Sequence, residues 1–158
     1  MHRLVATVIA IVTLSGCGTT YNFSASSDGD IRELYASCVG PHGAFYIYHN
    51  KEPVLYLSIR RTETNTEIYL SPHESLQAGN VSWPSAVKFI GNGIEANVSE
   101  SGILGKSVLQ KNMALYVYPG QPDQLEFILG NVLIDRGSVS IGSINFNYEK
   151  RRYLMCVQ

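Results

Sequence analysis

Charge is scarce in this chain. Asp, Glu, Lys and Arg together make up 16% of its 158 residues, and the formal net charge is −1. Such a balance lacks the basic surplus that a nucleic-acid backbone selects, so no nucleic-acid partner is expected. Cysteine occurs three times with no Cys-x-x-Cys pair, which leaves no dithiol redox motif. His42, His49 and His73 form no two-histidine metal spacing and stand beside turn residues. A Gly-rich phosphate loop and a nucleophile elbow are both missing. Glu63, Glu67, Glu95, Glu100 and Glu126 are scattered, and no spacing pairs two of them as acid and base. These gaps point away from catalysis, metals and cofactors, and towards binding.

One stretch does match a catalytic pattern: Ser85-Ala86-Val87-Lys88 is Ser-x-x-Lys. That chemistry needs the serine at a helix start with the lysine one turn on. Here Pro84 precedes the serine, and Val87-Lys88-Phe89-Ile90 leads into Gly91-Asn92-Gly93 as a strand would. Residues three apart on a strand face opposite ways, so the pattern is expected to carry no chemistry.

Long apolar runs are also rare. Leu4 to Leu14 is unbroken and largely apolar, but as a helix it spans only ~16 Å against a hydrocarbon core of ~30 Å. Behind the basic start His2-Arg3 it reads as a secretory signal. The residues that follow, Leu14-Ser15-Gly16-Cys17, resemble the lipobox of bacterial lipoproteins. That resemblance implies that residues 1–16 are a lipoprotein signal peptide, removed after the Cys17 thiol receives a diacylglyceryl group. Cys17 would then carry fatty chains such as palmitate, at ~0.8 kcal/mol per buried CH₂, with two or more chains needed for stable anchoring. Gly18 is not the aspartate that marks inner-membrane retention in enteric-type bacteria. The resemblance therefore implies the outer membrane, on its periplasmic face or at the surface. The stretch Gly18 to Asp30 is rich in Ser, Thr and Gly, and 17–30 reads as a lipid-anchored flexible tether of ~20 Å root-mean-square span.

Residues 31–158 are enough for one domain with a single core. An exported domain with Cys38 and Cys156 left over points to a disulfide between them, with two separate buried thiols as the alternative. Closing so long a loop contributes about 4.7 kcal/mol in the chain-entropy estimate. Apolar residues alternate with period two through Phe45/Ile47, Leu55/Leu57/Ile59, Ile68/Leu70, Leu115/Val117 and Leu125/Phe127/Leu129. Turn residues separate these runs at Asn50–Pro53, Thr62–Asn65, Gly91–Gly93 and Pro119–Asp123, and a slip of phase near Gly142-Ser143 marks a bulge or turn. The pattern predicts a mainly β fold, an antiparallel β-sandwich or barrel. Two short helices are expected, over 31–39 from the spacing of Ile31, Leu34, Tyr35 and Cys38, and over 72–78 behind Ser71-Pro72.

Tyrosine is the abundant residue, with ten copies. If the runs above face the core, then Tyr46, Tyr48, Tyr56, Tyr116 and Tyr118 face outward, where broad rings with polar tips grip a protein or a sugar ring. The alternative is that tyrosine simply suits half-buried strands. Arg60-Arg61 and Lys150-Arg151-Arg152 are basic clusters at strand ends, facing phosphate headgroups, an acidic partner or solvent.

The expected function is therefore a membrane-anchored binding module: an inhibitor, an immunity protein or a receptor-like partner of another envelope or secreted protein. The alternative is a structural accessory lipoprotein of an envelope assembly or secretion complex. Tyr35-Ala36-Ser37-Cys38, the hairpin after it and Cys156 resemble the membrane-bound inhibitors of c-type lysozyme, which are small disulfide-closed β-barrels. That family has Tyr-x-Cys where this chain has one more residue. Its Ser-Gly inhibitory loop is matched only by Ser101-Gly102, without the following aromatic.

Overall fold

A computed structural model describes residues 18–27, 29–34, 42–74, 81–99, 106–110, 113–134 and 137–153. Cys17, Cys38 and Cys156 lie outside them, and so do Tyr35 and Ser101-Gly102. The strands are β1 (Gly18–Ser27), β2 (Asp30–Glu33), β3 (His42–His49), β4 (Glu52–Arg61), β5 (Asn65–Pro72), β6 (Val81–Ser82), β7 (Ala86–Gly91), β8 (Ile94–Ser99), β9 (Lys106–Gln110), β10 (Met113–Pro119), β11 (Gln124–Ile134) and β12 (Gly137–Tyr153). They hydrogen-bond in the order β1-β12-β11-β7-β8-β9-β10-β5-β4-β3-β2, with β6 beside β11. All described pairings are antiparallel except a single parallel contact, Ser99 to Lys106, between β8 and β9.

The ladder folds over into two packed layers. Aromatic pairs bridge them: Phe45 on β3 to Phe146 on β12 at 5.9 Å, Tyr116 on β10 to Phe127 on β11 at 5.6 Å, and Phe89 on β7 to Tyr118 on β10 at 5.7 Å. Between the layers lie the fully buried Leu55, Leu57, Ile59, Ile68 and Leu70. No described pairing joins β1 to β2, so the arrangement is a sandwich and the barrel alternative falls away. The closed barrel implied by the lysozyme-inhibitor resemblance falls with it.

Local chemistry explains the turns. His49 pairs with Glu52 across Asn50 and Lys51, and Gly91 pairs with Ile94 across Asn92 and Gly93. All four loop residues have positive φ, between 49° and 81°, the geometry of two-residue hairpins whose twist matches the strands. At the expected slip of phase, Gly130 and Gly142 face each other with φ of 76° and 66°, and the register breaks there. Val139 and Ile141 point inward before this bulge, as do Ile144 and Phe146 after it.

Three expectations need correction. Residues 18–27 are no tether: β1 pairs with β12 along its whole length, and Phe23 is fully buried. Tyr21, Phe23 and Ala25 alternate with Asn22, Ser24 and Ser26, a period-two signal hidden by polar composition. The helix over 31–39 does not form where it is described. Ile31 is instead opposite Ile47 in β2, because the edge of β3 offers it a ladder and an apolar neighbour. The helix over 72–78 does not start where expected, since Pro72 is the last residue of β5, opposite Leu55; residues 75–78 lie outside the described set.

Candidate functional site

Strands β3, β4 and β5 present every second side chain outward. Inward-facing Phe45 and Ile47, Leu55, Leu57 and Ile59, and Ile68 and Leu70 force Tyr46 and Tyr48, Tyr56, Ser58 and Arg60, and Glu67, Tyr69 and Ser71 to the outer face. Register then decides which of them meet. Tyr46 stands opposite Tyr56, Tyr56 opposite Ser71, Ser58 opposite Tyr69, and Arg60 opposite Glu67. The Tyr46 and Tyr56 rings lie edge to face at 6.1 Å, and His73 packs edge-on against Tyr46 at 5.2 Å.

Between these side chains is an open groove of about 420 Å³, lined by Tyr56, Ser58, Arg60, Tyr69, Ser71 and Met113. One end is fixed by a closed polar set. Arg60 donates to the Glu67 carboxylate at 2.8 Å and to the Tyr69 hydroxyl at 2.7 Å, and that hydroxyl donates to Glu67 at 3.0 Å. Burial, followed by the Glu67 carboxylate, pushes the Tyr69 hydroxyl above its ordinary range. The hydrogen bond to Glu67 holds the Arg60 guanidinium firmly protonated. The groove therefore offers half-buried rings along its walls, serine hydroxyls on its floor, and a positioned ion pair at one end.

The five expected tyrosines divide. Tyr46 and Tyr56 are neighbours on the outer face, and Tyr48 shares that face under the Arg32 guanidinium, 4.2 Å from its ring. Tyr116 and Tyr118 are not outward. They are 0% and 7% exposed and point between the layers, while Leu115 and Val117 take the outer phase of β10. Both phases of Met113-Ala114-Leu115-Tyr116-Val117-Tyr118 are apolar, so periodicity could not choose between them. The choice is made by volume and by a partner for the hydroxyl. Tyr116 fills the space against Phe127 and donates to the Pro84 carbonyl at 2.7 Å. Burial raises its hydroxyl well above the ordinary range. Tyr118 lies where Gly91 has no side chain, since a Cβ there would fall 2.4 Å from the tyrosine oxygen.

Tyr69 and Arg60 are the site residues that sequence reasoning missed as a pair. The signal was present, because Ile68 and Leu70 facing inward leave Tyr69 outward. The two arginines of Arg60-Arg61 part company as strand neighbours must. Arg61 turns inward at the end of the sandwich, with its side chain 13% exposed, paired with Asp123 at 2.7 Å and 3.6 Å above the Tyr148 ring. Lys88 of the Ser-x-x-Lys match lies on β7 and pairs with Glu95 at 2.7 Å. Among the described residues no three His, Cys, Asp or Glu side chains group as a metal site. Comparison of the chain with family models, curated proteins and solved structures finds no match.

Proposed function

We propose that this chain is an envelope lipoprotein, carried by lipid on Cys17, whose sandwich binds another envelope or secreted protein through the Tyr46–Tyr56–Tyr69 face. The anchor rests on the order of residues: basic start, short apolar run, then Leu14-Ser15-Gly16-Cys17. Gly18 after the cysteine supports the outer membrane as the destination. The binding assignment is carried by one observation, the groove in which Tyr56 and Tyr69 stand as walls with Arg60 already locked in place. Rings with only two rotors lose little entropy on contact, and a pre-oriented guanidinium needs no ordering when a carboxylate or carbonyl arrives. Such a groove suits the aromatic or aliphatic side chain of a protein partner, with a polar group at the Arg60 end.

Two measurements test the reading. Cys17→Ser should move the protein from the membrane to the soluble fraction and abolish palmitate labelling; unchanged membrane retention would remove the anchor. Envelope extracts passed over the wild-type protein and over Tyr56→Ala should then differ by one retained species. Identical profiles would remove the groove as the binding site. Migration of the native protein in a stable large complex would favour the accessory role over a free-standing inhibitor.

A further inference from the structure

The outer face of the other layer holds a second concavity, of about 290 Å³, over β7, β11 and β12. Phe89, Leu125, Phe127, Ile144 and Phe146 are buried beneath it, and the residues between them turn outward. Pairing sets those outward residues in rows. Asn145 stands opposite Glu126 and Glu126 opposite Ile90, while Asn147 stands opposite Gln124, beside Asn92 of the β7–β8 turn. Side chains directly opposed on one face start only ~4.5–5.5 Å apart. Five polar side chains therefore converge on a space suited to a small ligand.

Two of the five are held in place. Glu126 accepts from the Ser143 hydroxyl at 2.7 Å. The Asn92 side-chain oxygen accepts from the Gln124 N–H at 3.2 Å, and the Asn92 N–H donates to the Gln124 carbonyl at 3.0 Å. The exposed side-chain amides of Gln124, Asn145 and Asn147 have no protein partner among the described residues. Each offers two N–H donors and a carbonyl acceptor. Glu126 is the one charged side chain of the lining, and Lys88, further along β7, is already paired with Glu95 at 2.7 Å. A phosphate or carboxylate ligand would thus meet a like charge and no free cation. Covering the amides costs free energy unless each bond to water is replaced. Sugar hydroxyls replace them well, because each one both donates and accepts.

We propose that this cavity binds an uncharged saccharide, with ring hydroxyls bridging Asn147 to Gln124 and Asn145 to Glu126, and the C–H face of the ring against Ile90. The site is on the opposite face of the sandwich from the Tyr56–Tyr69 groove, so it rests neither on that groove nor on Cys17, and both faces can be occupied at once. Saturation-transfer NMR tests it on the full chain, kept in a detergent without a sugar headgroup. The probes are the uncharged trisaccharides of N-acetylglucosamine, glucose and mannose, with trigalacturonate as the anionic counterpart. At least one uncharged probe should bind, and trigalacturonate should not. Asn145→Ala and Asn147→Ala each remove one exposed amide, a change that leaves folding intact. Each should weaken binding of that probe about ten-fold, as expected for lost hydrogen bonds to ligand. Binding of none of the uncharged probes, equal binding of trigalacturonate, or unchanged affinity in both asparagine variants would overturn the saccharide site.

Discussion

The two layers of the sandwich turn different chemistries outward. On the β3–β4–β5 side the outer phase places Tyr56, Tyr69 and Arg60 around a groove of about 420 Å³, with Tyr46 packed against Tyr56 beside it. On the β12–β11 side it is Asn145, Asn147, Gln124 and Glu126, with Glu126 accepting from Ser143 at 2.7 Å, around a smaller cavity of about 290 Å³. Covering an amide costs ~1–3 kcal/mol unless each hydrogen bond to water is replaced. Covering a tyrosine ring gains ~25 cal/mol per Å² and leaves the hydroxyl at the rim. Both faces are concave and both alternate correctly, yet only the first gains free energy simply by being covered. Residue type separates the proposed protein-binding face from the amide face where shape does not.

The largest expected effect tests which tyrosines belong to which surface. Tyr116→Ala should cost about 3–5 kcal/mol in urea unfolding, as for other large core truncations. Tyr56→Ala, on the outer face, should cost no more than about 1 kcal/mol. Equal losses would erase the distinction between inner and outer tyrosines. The next effect separates the two outer faces. Tyr56→Ala should weaken capture of the partner about 30-fold, the ~2 kcal/mol of a hot-spot ring, whereas Asn147→Ala should stay within about two-fold. A reversed ranking in a titration binding assay would move the site to the amide face.

How far the sequence foresaw this depends on how many clues agreed at each place. At β4 only one phase, Leu55/Leu57/Ile59, places three large aliphatic side chains together, and the expected face is the observed one. At β10 both phases are apolar. The deciding facts, the Pro84 carbonyl waiting for Tyr116 and the bare Cα of Gly91 under Tyr118, come from β-strands and loops more than 20 residues away. At β1 the alternation of Tyr21, Phe23 and Ala25 sits among serines and threonines, a polar composition that masks the period. At β2 a single partly buried residue, Ile31, satisfies helical and strand spacing equally. Pairing with β3 settled it. The groove needed register as well as phase, because Tyr56, Tyr69 and Arg60 converge only when Ser58 falls opposite Tyr69.

A smaller effect follows from ionisation of the inner tyrosine. Burial raises the Tyr116 hydroxyl above its ordinary value of 10.0, so the folded chain keeps this proton when the unfolded chain releases it. The stabilising contribution is complete below the unfolded value. It falls as pH rises from there towards the folded value, by up to ~1.4 kcal/mol per pH unit. Tyr116→Phe should lose about 1 kcal/mol at neutral pH with the hydrogen bond to Pro84, and then lose less than wild type above about pH 10. The two stability curves should converge on the alkaline side. Parallel curves would mean that Tyr116 ionises freely and is not enclosed.

The smallest effect returns to the outer face. Glu67→Gln keeps the shape of the polar set but removes its negative charge, and the Arg60–Glu67 pair is partly exposed, so stability should change by less than about 1 kcal/mol. The Tyr69 hydroxyl should titrate lower than in wild type, because the carboxylate that helps raise it is gone, and remain above the ordinary range because burial persists. Site-resolved tyrosine NMR against pH reads this shift directly. The same substitution leaves Arg60 with an unopposed charge, so a partner that meets it with an acidic group should bind more tightly. Glu126→Gln, the matched change on the amide face, should leave partner binding unaltered. If Glu126→Gln changes affinity and Glu67→Gln does not, the polar face is the one that recognises the partner, and the ion pair at the end of the groove is only scaffolding.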